Sequence, residues 1–303
     1  MSAGCETAVG RSGGKVILLG EHAVVHGSPA IAMGLPDKTS VTASFAPGPT
    51  ALEVPTWGLT ARVDGGQAAD AALRGLVDAL GAPREGLFLI GTTELPARAG
   101  LGASASIAAA SARAIVAILG RDPSAAQLHG AVQASERAFH GTPSGVDAAA
   151  VLGDGVIRYS RADGALRLDV PAPELVIVHT GSPGDTRVTV AAFAARLSSD
   201  PAEGARRLDA ICAIVERGVE ALERRDLPAL GRLMDENQAH LAWFGVSTDA
   251  LDRACAKARA AGALGAKLTG GGGGGCAIAL VRSEDRPRVT ERLRAAGFAP
   301  VPA

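Results

Sequence analysis

The sequence is 303 residues long, with 30 Lys+Arg against 31 Asp+Glu, a formal net charge of -1 and 47% hydrophobic residues. That length suits one large domain or two ordinary ones with enough apolar material for a true core, and the near-zero charge excludes a general nucleic-acid binder, which needs a basic face. No apolar run reaches the roughly 18 residues of a membrane span, and residues 1–6 lack the charged-then-apolar design of a signal peptide, so a cytoplasmic protein with no membrane partner is expected.

Taken along the chain, residues 15–19 form a short apolar run closed by Gly20 and predict a buried strand. Residues 41–45 and 59–63 predict two further strands joined by a Pro/Gly-rich connection. Helical spacing over 67–80 stops at Gly81, and 87–91 predicts another strand. The alanine-rich stretch 104–119 predicts a helix, and Pro123 at a first turn opens a second one that runs to about residue 140. Short strands are expected at 156–159 and 166–170. Pro171-Ala172-Pro173 interrupts both helix and ladder, so the expected domains are 1–171 and 172–303. After that break come a strand at 175–179 and a mostly helical stretch at 186–261. Strands at 266–269 and 276–281 then flank a run of six glycines, and a helix at 284–296 precedes a short terminal strand. The four cysteines, Cys5, Cys212, Cys255 and Cys276, contain no C-x-x-C pair, so neither a disulfide framework nor a zinc site is indicated.

Three glycine-rich stretches and one acidic pair carry candidate chemistry. In residues 13–27 a strand begins with Lys15 and delivers Glu21-His22 and His26-Gly27 at its far end, where loops usually meet substrates. Residues 94–106 run through Gly100-Leu101-Gly102-Ala103-Ser104 into the best helix of the chain. Small residues there allow close backbone approach, and the free N–H groups of the helix start favour a phosphate. Ser104 could cap that helix or reach a metal bound to the phosphate. It is not a Walker A loop, because no Gly-Lys-Ser/Thr follows at the required spacing. The third stretch, Gly270 to Gly275, opens a second strand rather than a helix, so its formal match to a dinucleotide fingerprint is empty. Six glycines between two apolar strands carry a large ordering cost, which a close-approach loop beside a ligand explains better than a plain turn. Glu136 is followed 11 positions later by Asp147 across a Gly/Pro loop. Phosphoryl transfer uses one carboxylate for Mg²⁺ and commonly a second to orient or deprotonate the attacking hydroxyl. Trp57 could stack on an adenine, although a structural tryptophan is the simpler reading.

Together these stretches resemble the GHMP kinase superfamily. Residues 14–27, 100–106, Glu136 with 140–147, and 267–276 occur in the family's order, and the wording of 14–27 and of 140–147 resembles the mevalonate kinase branch. Residues 180–187 add a weaker match to a Thr-containing loop. The resemblance implies an α+β GHMP kinase fold, with an N-terminal domain like ribosomal protein S5 domain 2, a ferredoxin-like C-terminal domain and the active site in the cleft between them. It implies transfer of the ATP γ-phosphate to the 5-hydroxyl of mevalonate on the route to isoprenoids, with Mg²⁺ as cofactor and a homodimer as the assembly. By position Asp147 corresponds to the catalytic base, and Lys15 to the catalytic and nucleotide-side lysine near the hydroxyl. Ser104 and Glu136 correspond to the Mg²⁺ ligands. Arg98, Ala99, Gly100, Leu101, Gly102, Ala103 and Ser104 would cradle the triphosphate. Glu21, His22 and Thr186, with Gly271 and Gly272 of the third loop, correspond to substrate-side positions.

Two departures stand out. Ala103 replaces the first of two serines usual after Gly-Leu-Gly, with Ser106 the candidate to compensate, and Gly13 replaces a proline usual before Gly-Lys. Competing readings are a kinase for another small hydroxy acid, the related diphosphomevalonate decarboxylase, which would want more basic residues facing its substrate, and a nonenzymatic sensor on the same fold. The sensor reading predicts loss of a base, lysine or metal ligand, yet Lys15, Glu136 and Asp147 are all present. Only four of the 30 basic residues are lysine: Lys15, Lys38, Lys257 and Lys267. Arginine's planar fork would fit poorly beside a carboxylate and an attacking hydroxyl, which makes Lys15 a chosen residue. Lys267 borders the third loop and is assigned no catalytic role.

Overall fold

The computed structural model describes residues 6–141 and 143–302, without the side chain of His140. Thr142 and residues 1–5, which include Cys5 and nearly all of the opening read for a signal peptide, lie outside the described residues. The strands and helices of the N-terminal half are β1 (Thr7–Leu19), β2 (Ala30–Pro49), β3 (Ala51–Val54), β4 (Leu59–Arg62), α1 (Ala68–Ala79), β5 (Glu85–Thr93), α2 (Ala103–Ile118), α3 (Ala125–His140) and α4 (Val146–Leu152). They continue with β6 (Val156–Ser160), β7 (Gly164–Arg167), β8 (Leu175–His179), α5 (Thr186–Ser199), α6 (Pro201–Glu223), α7 (Leu227–Trp243) and α8 (Asp249–Ala260). The chain ends with β9 (Gly265–Leu268), β10 (Cys276–Leu280), α9 (Arg286–Ala295) and β11 (Ala299–Val301).

These elements form two compact units, each discontinuous in sequence. One comprises the chain up to Gly14, Leu35–Ala97 and Gly102–Leu152, and the other Lys15–Gly34, Arg98–Leu101 and everything from Gly153 onward. The break expected after residue 171 falls inside the second unit. The reason is pairing: β6 runs antiparallel to the Ala30–Met33 end of β2, and β7 pairs with β6.

In the first unit the strand order is β4-β3-β5-β2, with Thr42 opposite Ile90 and Ala43 opposite Leu89. Alternation sets the faces: Val41, Ala43, Leu87 and Leu89 are buried, whereas Ile90, one position on from Leu89, is exposed. The buried face meets α2, whose Ala105, Ala108, Ala109, Ala110, Ala112 and Ala114 are all buried. Small side chains bring the backbones close, since a Cβ on Gly10 would lie 2.0 Å from the Ala110 carbonyl oxygen. Trp57 packs against this core half-buried, as a structural tryptophan would. Helix α3 is started by Ser124 and Gln127, which form a capping box, so Pro123 precedes the helix rather than occupying its first turn. The sequence reading also missed α4, in whose first turn Asp147 lies.

The second unit holds an antiparallel sheet in the order β11-β8-β10-β9. Its core gathers Val176, Val178, Phe193, Leu241, Phe244, Leu268 and Ile211 from β8, β9 and helices α5 to α7. Helix α7 approaches β9 closely enough that a Cβ on Gly231 would meet the Leu264 carbonyl at 2.3 Å. The helical stretch expected over 186–261 resolves into α5 to α8, broken by the residues that cap α6 to α8, Asp200, Asp226 and Thr248. No helix among the described residues is long and apolar enough to cross a membrane.

Candidate active site

The first unit supplies Ser104, Glu136 and Asp147. Helices α2, α3 and α4 pack on one another, so the three elements that carry these residues form one cluster. Glu136 is buried at 3% exposure, while Ser104 and Asp147 are half-buried. Asp147 is followed by buried Ala148, Ala149 and Ala150, the apolar setting read from the sequence. Helix α2 begins at Ala103 after Gly102 in the left-handed conformation, with no side-chain cap. Ser104 is therefore not spent on capping. Ser106 is a different case, because it is fully buried with its Oγ 2.8 Å from Thr39 Oγ1. It belongs to a core hydroxyl network that continues to Thr93 and does not stand in for the serine that Ala103 replaces.

The second unit supplies the remaining candidates. Lys15 is buried and its Nζ donates to the Gly100 carbonyl at 3.0 Å, while its backbone N–H donates to Leu101 O at 2.9 Å. The strand that carries the lysine is thus tied to the Arg98–Leu101 loop. That loop is also held by Cys276, just after the glycine run, and by residues 184–185. Cys276 N donates to Ala99 O at 3.0 Å, Gly184 N donates to Arg98 O at 2.8 Å, and Arg98 pairs with Asp185 at 3.3 Å. Arg98 adopts φ 56°, a conformation that costs a non-glycine residue energy and persists where the surroundings enforce it.

Every glycine from Gly270 to Gly275 has its Cβ position occupied. A side chain would meet Gly100 O at Gly270, Thr186 Oγ1 at Gly271 and Val246 O at Gly272. At Gly273 to Gly275 it would meet Thr189, Pro183 O and Ala99 O. Five of the six also have positive φ, Gly271 being the exception. Gly273 N and Gly275 N donate to Val246 O and Ser182 O, and Thr180 binds Gly275 O through both its N–H and its hydroxyl. The run is a loop clamped against neighbouring backbone, and these two N–H groups serve the clamp.

The residues expected on the substrate side converge on the same loop. His22 Nε2–H donates to the Gly271 carbonyl at 3.0 Å, and Thr186 Oγ1 stands over Gly271 from the start of α5. His22 itself has φ 59°. Its ring stacks on Phe193 at 5.2 Å, and Phe193 stacks in turn on Phe244 at 3.9 Å. Burial pushes its pKa down to about 4, against a small opposing effect of the Gly271 carbonyl, so the ring is neutral near pH 7. With Nε2 protonated, Nδ1 is the acceptor nitrogen. Glu21, 1% exposed, is paired with Lys267, which is completely buried. Phe193 was not singled out from the sequence, and Lys267 was noted there without a role. The only signal for Lys267 was a lysine beside glycines in an arginine-rich chain.

Comparison with known proteins decides the family. The family model for the GHMP kinase N-terminal domain matches residues 67–155, and that for the GHMP kinase C-terminal region matches 219–299. The chain is 33% identical to a mevalonate kinase of Pyrococcus horikoshii over 312 residues, covering 95% of this chain and 92% of that one. The chain belongs to the mevalonate kinase family of the GHMP kinases. A crystal structure of L. major mevalonate kinase in complex with R-mevalonate matches with a TM-score of 0.81 and 32% identity, over 95% of this chain and 91% of that one. Lactococcus lactis galactokinase complexed with galactose reaches the same TM-score of 0.81 at 20% identity, over 98% and 92%, a likeness of fold alone. This GHMP kinase has the α+β fold expected from its motifs, and it is an ATP-dependent small-molecule phosphotransferase.

Proposed function

We propose that this kinase transfers the γ-phosphate of ATP to the 5-hydroxyl of mevalonate. The observation that carries the reading is the convergence of Glu21, His22, Gly271 and Thr186 in the unit that also holds Lys15, within a chain 33% identical to mevalonate kinase over nearly its whole length. Asp147 is the general base: it accepts the hydroxyl proton as the alcohol oxygen bonds to the γ-phosphorus and the bond to the ADP oxygen breaks. Lys15 supplies a compact positive charge for the developing alkoxide and the nucleotide. The Arg98–Leu101 loop, with Gly102, Ala103 and Ser104 at the start of α2, cradles the triphosphate through backbone N–H groups. Glu21, His22, Thr186, Gly271 and Gly272 hold the acceptor.

Mg²⁺ fits the donor set of Ser104 and Glu136, a hydroxyl and a buried carboxylate, both hard oxygen donors. Bound there with the nucleotide, the ion would offset charge on the β- and γ-phosphates. In this reading residues 1–171 carry the nucleotide and catalytic motifs and 172–303 form the C-terminal domain, a division supported by the two family matches falling on either side of it. A homodimeric state and a cytoplasmic location complete the reading, on the strength of the family resemblance. Product analysis by ³¹P NMR tests the chemistry: mevalonate with ATP and Mg²⁺ should give ADP and one new phosphate monoester resonance. Inorganic phosphate and ADP as the sole products would contradict transfer to the alcohol.

A further inference from the structure

The Gly20–Glu21–His22 turn is built on a buried ion pair that the roles above leave unexplained. Lys267 Nζ donates to Glu21 Oε1 and to the Leu268 carbonyl, the latter at 2.7 Å. The second carboxylate oxygen, Oε2, is buried with no hydrogen-bond partner among the described residues. Next to it in the chain, Gly20 N donates to Asn237 Oδ1 at 2.9 Å, and Asn237 Nδ2 is likewise buried without a partner. An acceptor oxygen and a donor nitrogen are thus left unused around one turn. Stability gives no reason to keep the pair, since well-packed apolar residues usually serve a core at least as well as a buried ion pair.

The surroundings fix Lys267 rigidly. It lies in the middle of β9 opposite Ile278 of β10. On either side of it α7 grips the strand: Asp235 Oδ1 accepts from Ala266 N at 2.9 Å and Gln238 Oε1 accepts from Leu268 N at 2.9 Å. Such a platform holds a side chain to a narrow range of positions. Electrostatics link the pair to Lys15. Burial raises the pKa of Glu21, opposed by Lys267 and, to a smaller extent, by Lys15. Burial lowers that of Lys267, opposed by Glu21, with Lys15 again acting at this range.

We infer that Lys267 is a positioning residue for the acceptor: it pins one oxygen of Glu21, so that the other is presented to an acceptor hydroxyl, and it balances the glutamate's charge near Lys15. This rests on the reading of Glu21 as an acceptor-side residue. Removing Lys267 changes the cluster from two cations and one carboxylate to one of each, and lets Glu21 swing. An arginine keeps the charge but brings a broad planar fork into a closed space shaped for an ammonium.

Steady-state kinetics with mevalonate and ATP on wild type, Glu21→Gln, Lys267→Met, Lys267→Arg and the double variant Glu21→Gln/Lys267→Met provide the test, with nucleotide affinity measured by calorimetry on the folded proteins. No turnover by wild type would reject the kinase reading itself, before Lys267 is in question. With wild type active, Lys267→Met should raise the acceptor KM about tenfold or more while nucleotide affinity changes less than about twofold. The double variant should be no worse than Glu21→Gln alone, because Lys267 acts through Glu21. A Lys267→Met enzyme of lower melting temperature but wild-type acceptor KM would overturn the inference, as would a double variant whose losses multiply. If Lys267→Met does not fold, Lys267→Arg gives the KM reading. The double variant, which carries no buried charge at either position, then gives the comparison with Glu21→Gln, with the same outcomes for and against.

Discussion

Replacing the Asp147 carboxylate by an amide keeps its size and removes its capacity to take a proton. Asp147→Asn should therefore lower kcat by about 10²–10⁴-fold, the usual worth of a general base, while ATP binding measured by calorimetry stays near wild type. A near-normal rate would remove Asp147 from the role. His22 gives a prediction about stability. Its pKa is about 4 in the folded chain against 6.5 as the ordinary value, so between these pH values the unfolded chain binds a proton that the folded chain does not. Acidification from pH 7 to 4 should then destabilise the fold by about 3 kcal/mol through this residue, with the contribution fading out above about pH 7.5. Urea denaturation of wild type and His22→Gln across that range should show the wild type losing more; parallel curves would mean that His22 is not held neutral. Lys15, Glu136 and Asp147 could be singled out from the sequence as candidates because their motifs are local. The Lys267–Glu21 contact spans 246 positions, and no short-range pattern announces it. Ser106 shows the converse: a serine in the right motif whose hydroxyl belongs to the core.

At the scale of elements, glycine separates function from backbone freedom. Gly270 has φ 75° and a Cβ there would meet the Gly100 backbone, carbonyl oxygen included, at 2.6 Å. Gly27 has φ 95° but faces open space. Gly270→Ala should cost about 3 kcal/mol or more in urea denaturation, from conformational strain plus overpacking. Gly27→Ala should cost only the strain, about 1–2 kcal/mol. Equal losses would mean that the glycine loop is not clamped against the Arg98–Leu101 segment. The same close approaches explain which strands the sequence concealed. Residues 7–14 of β1 include Gly10, Gly13 and Gly14 and look unlike a strand, yet Gly10 and Gly13 are needed where that strand meets the backbones of Ala110 and Leu35. Strand β2 contains Pro36, Pro47 and Pro49, which argue for breaks, and only its Val41–Phe45 segment carried a readable alternation. Helices α1, α2 and α3 were legible because apolar spacing and stop signals lie within each of them.

For the whole molecule, the motifs gave the order of parts but not their grouping. Lys15 to Gly34 and Arg98 to Leu101 are early in the chain yet belong to the unit built mainly from residues after Gly153. Strand pairing of β2 with β6 and the clamping of the Arg98–Leu101 loop by Ala99–Cys276 and Arg98–Gly184 contacts produce that grouping. A proline-marked break at 171–173 reports local backbone geometry and carries no information about such long-range pairing. Fold likeness extends equally to a galactokinase, so the acceptor is decided by side chains rather than by architecture, and the set proposed for that task is the one around Gly271. The measurement that bears most directly on this is a coupled ADP-release assay on the purified protein with ATP, Mg²⁺ and a panel of mevalonate, phosphomevalonate, galactose and homoserine. The account predicts that mevalonate has a kcat/KM at least about 10²-fold above every other acceptor. Turnover of another acceptor with none of mevalonate would contradict it.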